Sequence, residues 1–154
     1  MDDGLIDDAV VNAELHAEAD RMAAEGELRS LLEELGLGPL TFDPAGIESA
    51  ARFINWVRDN FAAEDRDRWV YPLGAFVGAA VIRTLGGQWA ERDGTWGVQV
   101  GGRIWSNPFR KVEKQLMEGP EESVAGLFRA IAQKACELGP GELAEPGAAP
   151  DPAI

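Results

Sequence analysis

The segment from Gly86 to Asn107, GGQWAERDGTWGVQVGGRIWSN, constrains the fold more than any other part of the chain. It contains two turn pairs, Asp93-Gly94 and Gly101-Gly102, which separate short stretches that include strand-forming residues. These pairs favour two-residue hairpin turns, because such turns need backbone angles that glycine adopts readily. The segment therefore predicts three strands in an antiparallel meander.

Three tryptophans define the predicted faces of this sheet. With two-residue turns, Trp89 lies opposite Val98, Val98 lies opposite Trp105, and Val100 lies opposite Arg103. Because side chains alternate along a strand, Trp96 and Val100 share the tryptophan face. A three-stranded sheet needs one covered face in water, so we expect helices on that side. The opposite face is predicted to carry smaller or more polar residues: Gln88, Ala90, Gly97, Gln99, Ile104 and Ser106.

Apolar periodicity and proline positions predict the helices around the sheet. Residues 63–68, AEDRDR, are interpreted as a solvated break between two of them. Gly74 and Gly78 lie one turn apart and predict the close approach of another backbone. The expected fold class is α+β, a three-stranded antiparallel meander packed by about four helices. Helix starts are predicted at Pro44 and Pro108, capped by Asp43 and Asn107, and at Pro72 and Pro120.

The acidic residues concentrate at the ends of the chain. Residues 1–35 carry 11 acidic and 2 basic side chains, whereas residues 36–138 carry 13 and 12. The first segment is interpreted as an acidic helical arm and the second as the α+β core domain. Residues 139–154, which contain four prolines and three acidic residues, are predicted to be a disordered tail.

Few residues in this chain are suited to catalysis or metal binding. His16 is the one histidine, and Cys136 is the one cysteine, predicted to be a core residue. No phosphate-binding loop, dinucleotide fingerprint or nucleophile elbow is present. The acidic cluster at Glu64, Asp65 and Asp67 lacks the pattern of a calcium loop. We therefore expect no catalytic residues, no metal site and no cofactor, and favour a non-enzymatic protein.

The leading hypothesis is a protein–protein interaction module, an adaptor or an immunity-type inhibitor, that binds a basic protein. A net charge of −13 disfavours nucleic acid and anionic membranes as partners. The absence of a secretory pattern at Met1 favours the cytoplasm. Partner contacts are predicted at Asp7, Asp8, Glu14, Glu18 and Asp20.

Two alternatives remain open. The first is a mildly basic patch that binds an acidic ligand or this chain's own acidic arm. It is predicted at Arg103, Arg110, Lys111 and Lys114. A small-molecule site or minor enzyme is the second alternative, with a pocket between the sheet and the helices. Its predicted edge residues are Gln88, Gln99, Arg103, Trp69 and Tyr71.

The stretch from Leu73 to Leu127 combines LGAFVGAAVIRTLGGQW, a hairpin segment and NPFRKVEKQLMEGPEES. This order of motifs resembles a family of small bacterial α+β domains of unknown function. The resemblance covers about a third of the chain and implies a compact domain with no established activity. In the family pattern an acidic residue follows the second helix glycine, where this chain has Ala79. The resemblance therefore implies that an activity dependent on that acid is missing here.

Overall fold

The computed structural model describes residues 8–24 and 26–143, with side chains described at 10–21 and 30–138. The fold is α+β, as predicted, and the sheet has the antiparallel order β1-β2-β3. Helices pack against one face of this sheet. The strands are β1 (Gln88–Arg92), β2 (Thr95–Val100) and β3 (Ile104–Ser106). The helices are α1 (Asp8–Ala24), α2 (Gly26–Leu35), α3 (Pro44–Asn60), α4 (Ala63–Arg66), α5 (Val70–Leu85), α6 (Pro108–Glu118) and α7 (Val124–Leu143).

The two predicted polar caps are confirmed. The Asp43 carboxylate accepts a hydrogen bond from the Gly46 backbone N–H at 2.8 Å and one from the Thr41 hydroxyl at 2.6 Å. These bonds, that of Thr41 first, lower the pKa of Asp43 because they stabilise the charged carboxylate. Asn107 caps α6 by accepting from the Arg110 backbone N–H at 3.1 Å. Both helices therefore begin where the sequence predicted.

Two helix boundaries near proline differ from prediction. α5 begins at Val70, two residues before Pro72, because proline is tolerated within the first helical turn. Residues 63–68, predicted to be a solvated break, lie instead in α4 and in a 3₁₀ turn at Asp67–Trp69. The Arg66 guanidinium holds this corner by donating to the Phe61 and Arg58 carbonyls at 3.0 and 2.8 Å.

α7 also differs from prediction at both ends. It begins at Val124, after a 3₁₀ turn at Pro120–Glu122, and it continues to Leu143. The first residues of the predicted tail, 139–143, are thus helical, and residues 144–154 lie outside the described residues. Cys136 is exposed, so its assignment to the core was wrong. It lies on α7 away from Ile131 and Leu138, which face the core.

The register of the first hairpin is as predicted, whereas that of the second is wrong by one residue. Trp89 pairs with Val98. In the second hairpin, however, Val98 pairs with Ser106 and Val100 with Ile104, rather than with Trp105 and Arg103. The turn contains three residues, 101–103, instead of the two expected. A shift of one residue reverses the faces of a strand, so Ile104 and Ser106 are buried among the helices and Trp105 lies on the other side.

The core includes the segment that was predicted to be an arm. Leu15 and Ala19 of α1 and Leu32 of α2 are buried together with Phe53 of α3 and Phe76 of α5. The predicted division at residue 35 therefore does not coincide with an edge of the hydrophobic core. Removing residues 1–35 would expose apolar side chains of the core and is not a neutral deletion.

Gly74 and Gly78 of α5 admit aromatic rings rather than the expected backbone. A Cβ atom at Gly74 would lie 2.2 Å from the ring of Phe109, and one at Gly78 would lie 2.1 Å from the ring of Trp89. Both distances are far below van der Waals contact. The two glycines thus form the surface on which one aromatic side chain of α6 and one of β1 pack.

Gln115 fixes the position of α6. Its side chain is fully buried, and its Nε2 donates to the Ala51 carbonyl and to Asn55 Oδ1 of α3, both at 2.9 Å. Its Oε1 accepts from the Val124 backbone N–H, also at 2.9 Å. This buried amide satisfies groups on α3 and α7 and so links three helices. It therefore holds α6, and with it Phe109, against the core.

Candidate functional site: an acidic and aromatic surface

The packing of α1 against α5 brings acidic side chains next to an exposed aromatic ring. Leu15 and Ala19, four residues apart, face the core, because such spacing places them on one side of a helix. Glu14 is exposed and Glu18 is partly buried. Tyr71, in the first turn of α5, is close enough to both carboxylates to feel their charge. We name the group of Glu14, Glu18 and Tyr71 the α1 acidic face.

Tyr71 ends a row of stacked rings that leads into the core. Tyr71 is 46% exposed, and its ring stacks on Phe109 with centroids 5.9 Å apart and an interplanar angle of 8°. Phe109 stacks in turn on Trp89 at 5.7 Å. The two inner rings of the row pack directly against the α5 backbone, Phe109 at Gly74 and Trp89 at Gly78. The exposed ring of Tyr71 is thus a fixed aromatic surface.

The electrostatics around Tyr71 favour its neutral form. Partial burial raises the pKa of the phenol, and the carboxylates of Glu18 and Glu14 raise it further, while Arg21 opposes them. Glu18 forms an ion pair with Arg21. Glu14 has no basic partner among the described side chains. The surface around Tyr71 therefore retains negative charge.

The remaining predicted partner contacts are not brought together with this surface. Asp20 forms an exposed ion pair with Arg83 at 3.0 Å, and the guanidinium of Arg83 lies 3.7 Å from the centre of the Phe42 ring. Asp7 lies outside the described residues. Asp8 begins α1, but its side chain is also outside them.

Two of the four residues of the predicted basic patch are paired with neighbouring acids. Arg110 pairs with Glu113 at 2.7 Å, and Lys111 pairs with Glu122 at 3.0 Å. The hydrogen bond and charge of Lys111 lower the pKa of Glu122. Lys114 is partly buried on α6, and Arg103 lies in the turn between β2 and β3. The patch therefore offers less free positive charge than its sequence indicates.

The outer face of the sheet carries a second aromatic surface that the sequence prediction missed. Trp105 lies flat against Gly97, where an added Cβ would lie 2.6 Å from the indole. Its Nε1 donates to the Ala90 carbonyl at 3.1 Å, and the Arg92 guanidinium is 6.0 Å from the ring centre. We name Trp105, Gly97, Ala90 and Arg92 the outer-face platform. The number of residues in the second turn decides whether Trp105 lies on this face, and the sequence prediction assumed two residues instead of three.

Two aromatic side chains lie between the sheet and the helices, where the second alternative places a pocket. Trp89 and Phe109 stack on each other and pack against α5 there. Of the predicted edge residues, Gln99 donates to the Gly101 carbonyl at 2.7 Å, and Trp69 packs edge-on against Phe53. An open groove of about 620 Å³ lies elsewhere, beside the connection from α2 to α3. It is lined by Leu32, Glu33, Gly36, Gly38, Pro39, Leu40 and Thr41.

Residues with metal-binding chemistry stay apart. His16 is partly buried on α1, whereas Glu64, Asp65 and Asp67 are exposed at α4 and the following turn. Within residues 8–24 and 26–143, no three histidine, cysteine or acidic side chains converge as metal ligands do. Over the same ranges, no helix combines the length and apolar character that crossing a bilayer demands.

Comparisons with protein-family models, with curated proteins and with solved structures find no match to this chain. The resemblance of residues 73–127 to a bacterial domain family therefore stays a prediction. Functional interpretation depends on the surfaces described above.

Proposed function

We propose that this protein is a non-enzymatic cytoplasmic interaction module that binds a basic protein through the α1 acidic face. The observation that supports the proposal is the half-exposed Tyr71, stacked on Phe109 and close enough to Glu14 and Glu18 to feel the charge of both carboxylates. Tyrosine is enriched among the residues that dominate binding energy at interfaces. An aromatic face flanked by carboxylates complements a cationic side chain of a partner.

Arginine is the partner side chain that fits this surface best. Its planar guanidinium stacks on an aromatic ring and simultaneously donates hydrogen bonds to carboxylates. Glu14 supplies a carboxylate without a basic partner among the described side chains. Glu18 becomes available when a partner arginine displaces Arg21. Lysine offers a point charge and weaker stacking, so we expect a preference for arginine.

The charge of the whole chain supports the same partner class. A net charge of −13 attracts a basic protein over longer distances and increases the association rate. It also disfavours binding to nucleic acid. Asp20, paired with Arg83, contributes to this general attraction rather than to the direct contact.

The test compares two double variants that change the net charge equally. Glu14→Lys/Glu18→Lys reverses the proposed contact, and Glu64→Lys/Asp65→Lys reverses two exposed acids on α4. Full-length proteins are titrated with an arginine-rich peptide and with a lysine-rich peptide of the same length while backbone amide shifts are followed. We expect shifts around Tyr71, tighter binding of the arginine peptide, and loss of binding in the first variant alone.

Equal losses in the two variants would indicate general attraction between charges and would contradict a specific site. If only the first variant loses binding, the partner is identified by capture from native lysate. We expect the wild type and the α4 variant to capture a basic protein that the α1 variant does not capture. Binding of that protein to all three would place the contact elsewhere.

A ligand-binding role is the second candidate, and the groove beside the α2–α3 connection favours it. Its volume of about 620 Å³ is in the range of small-molecule sites. Gly38 borders it with φ at +100°, and a Cβ there would lie only 2.5 Å from Ser49 Oγ, so this edge of the groove has no room for a side chain. A thermal-shift screen of metabolites tests this role, and a hit that perturbs the amides of residues 36–41 would support it.

A further inference from the structure

We infer that the outer-face platform is a docking surface for residues 144–154 of this same chain. The platform is a flat indole whose orientation is fixed from below. Gly97 allows Trp105 to lie on the strand, and the bond from Nε1 to the Ala90 carbonyl satisfies the one donor of the indole. The indole therefore does not have to reorient when a segment docks on it.

The composition of residues 144–154 complements this surface. The segment AEPGAAPDPAI contains Pro146, Pro150 and Pro152. Proline-rich segments favour an extended left-handed helix before they bind, so they lose little conformational entropy when they dock on aromatic side chains. A proline ring offers a flat apolar surface to the indole of Trp105.

Charge complementarity determines which part of the segment lies next to Arg92. The segment contains Glu145 and Asp151 and no basic residue. Arg92, whose guanidinium lies above Trp105 at 6.0 Å, is only partly exposed and is held on the same face. Asp151 stands between Pro150 and Pro152, so a proline on the indole brings this carboxylate towards Arg92.

The described part of the chain ends on a helix that packs against the strand of the platform. α7 packs against β3, the strand that carries Trp105, and it ends at Leu143. Eleven residues follow. In an extended proline-rich conformation they reach about 30 Å, which exceeds the width of a three-stranded sheet with strands about 5 Å apart.

The proposal assigns a different surface from the α1 acidic face and does not depend on the proposed function. The docked segment would cover the outer face of the sheet and lie next to the edge strand β1. An uncovered edge strand is a site of unwanted association between chains. The docked segment would therefore limit access to that edge.

A spin label tests the contact in the full-length chain. The exposed Cys136 is replaced by serine, Ala153→Cys carries a nitroxide, and the five tryptophan indole N–H signals are recorded with the label active and reduced. We expect the Trp105 signal to lose most of its intensity. Trp56 of α3, which packs with Phe53 and Phe61, should keep its intensity.

Charge reversal provides the matched variants. Arg92→Glu should restore the Trp105 signal, and Arg92→Glu with Asp151→Lys should broaden it again. Arg68→Glu, which has the same charge change at the other aromatic cluster, should have no effect. Uniform broadening of all five indoles, or insensitivity to Arg92→Glu, would overturn the proposal. So would broadening transferred from a labelled chain to an unlabelled isotopic one, since a second copy would then be the occupant.

Discussion

Trp89 and Trp105 belong to the same small sheet, yet they are held in different ways. Trp89 is 4% exposed and lies between Gly78 and Phe109, and its Nε1 has no hydrogen-bond partner among the described residues. Trp105 is partly exposed, and its Nε1 donates to the Ala90 carbonyl. The inner indole is thus stabilised by apolar packing, and the outer one by a hydrogen bond and a glycine.

This difference shows how strongly one turn residue controls a small sheet. The three-residue turn at 101–103 places Ile104 and Ser106 inside and Trp105 outside. With a two-residue turn these positions would be reversed. The same change decides whether the molecule presents an aromatic surface on the outer face.

The largest expected effect is the loss of Trp89. Trp89→Ala should reduce the free energy of unfolding by about 3–5 kcal/mol, because it leaves a cavity beneath α5. Trp105→Ala should cost about 1–2 kcal/mol, from partial burial and one hydrogen bond. Urea denaturation followed by far-UV circular dichroism measures both. Equal losses would break the distinction between the two faces.

Trp89→Phe is the matched control for this comparison. It keeps an aromatic ring on Gly78 and removes the indole N–H that lacks a partner. We expect it to cost less than Trp89→Ala, since part of the packing is retained and an unpaired donor disappears.

Shortening the second turn tests the register directly. Deletion of Gly102 leaves two residues, Gly101 and Arg103, between Val100 and Ile104, so these two partners can remain paired. Ile104 then stays buried, and we expect a small loss of stability, below about 1.5 kcal/mol. Deletion of Gly94 is the comparison: it leaves only Asp93 between the paired residues Arg92 and Thr95, so the first register must shift, and we expect a loss of about 2–5 kcal/mol. Unfolding curves measure both losses, and a loss in the Gly102 deletion as large as that in the Gly94 deletion would contradict a three-residue second turn.

The two hairpins also show what the sequence could and could not predict. Asp93 and Gly94 both have positive φ, at 51° and 80°, as a two-residue turn of the favoured type requires. Gly101 has φ at 65°, whereas Gly102 does not adopt positive φ. A glycine pair is compatible with both turn lengths, so the second register was underdetermined while the first was not.

The candidate site was predicted in part for a similar reason. Glu14 and Glu18 were predicted as contacts because they belong to the acidic segment 1–35. Their proximity to Tyr71 depends on the packing of α1 on α5, more than 50 residues away in sequence. Local periodicity carries no information about such a pair. The stacking of Tyr71 on Phe109 was missed for the same reason.

Substitution of a glycine that supports the inner row tests how tightly these rings are packed. Gly78→Ala should cost about 1–3 kcal/mol, because its Cβ would lie 2.1 Å from a ring that is enclosed on its other side by Phe109. Gly126→Ala, on α7 with no atom within 4 Å of the added Cβ, is the control and should be neutral or slightly stabilising. Thermal unfolding measures both. A neutral Gly78→Ala variant would show that the inner row is loosely packed.

The smallest expected effect concerns Tyr71, where the inner row reaches the surface. Its phenol pKa lies above the ordinary value of 10.0, first because of burial and then because of Glu18 and Glu14. Glu14→Gln/Glu18→Gln should therefore lower this pKa without returning it to the ordinary value, as absorbance at 295 nm during alkaline titration will measure. Because the pKa is raised by folding, Tyr71 contributes stability that is present below pH 10 and is lost as the pH rises through the folded pKa. The paired variant should lose less stability over that range than the wild type. Glu64→Gln/Asp65→Asn is the control on α4, and its Tyr71 should titrate as in the wild type. If the pKa of Tyr71 shifts equally in both variants, the phenol senses the overall charge of the protein instead of Glu14 and Glu18.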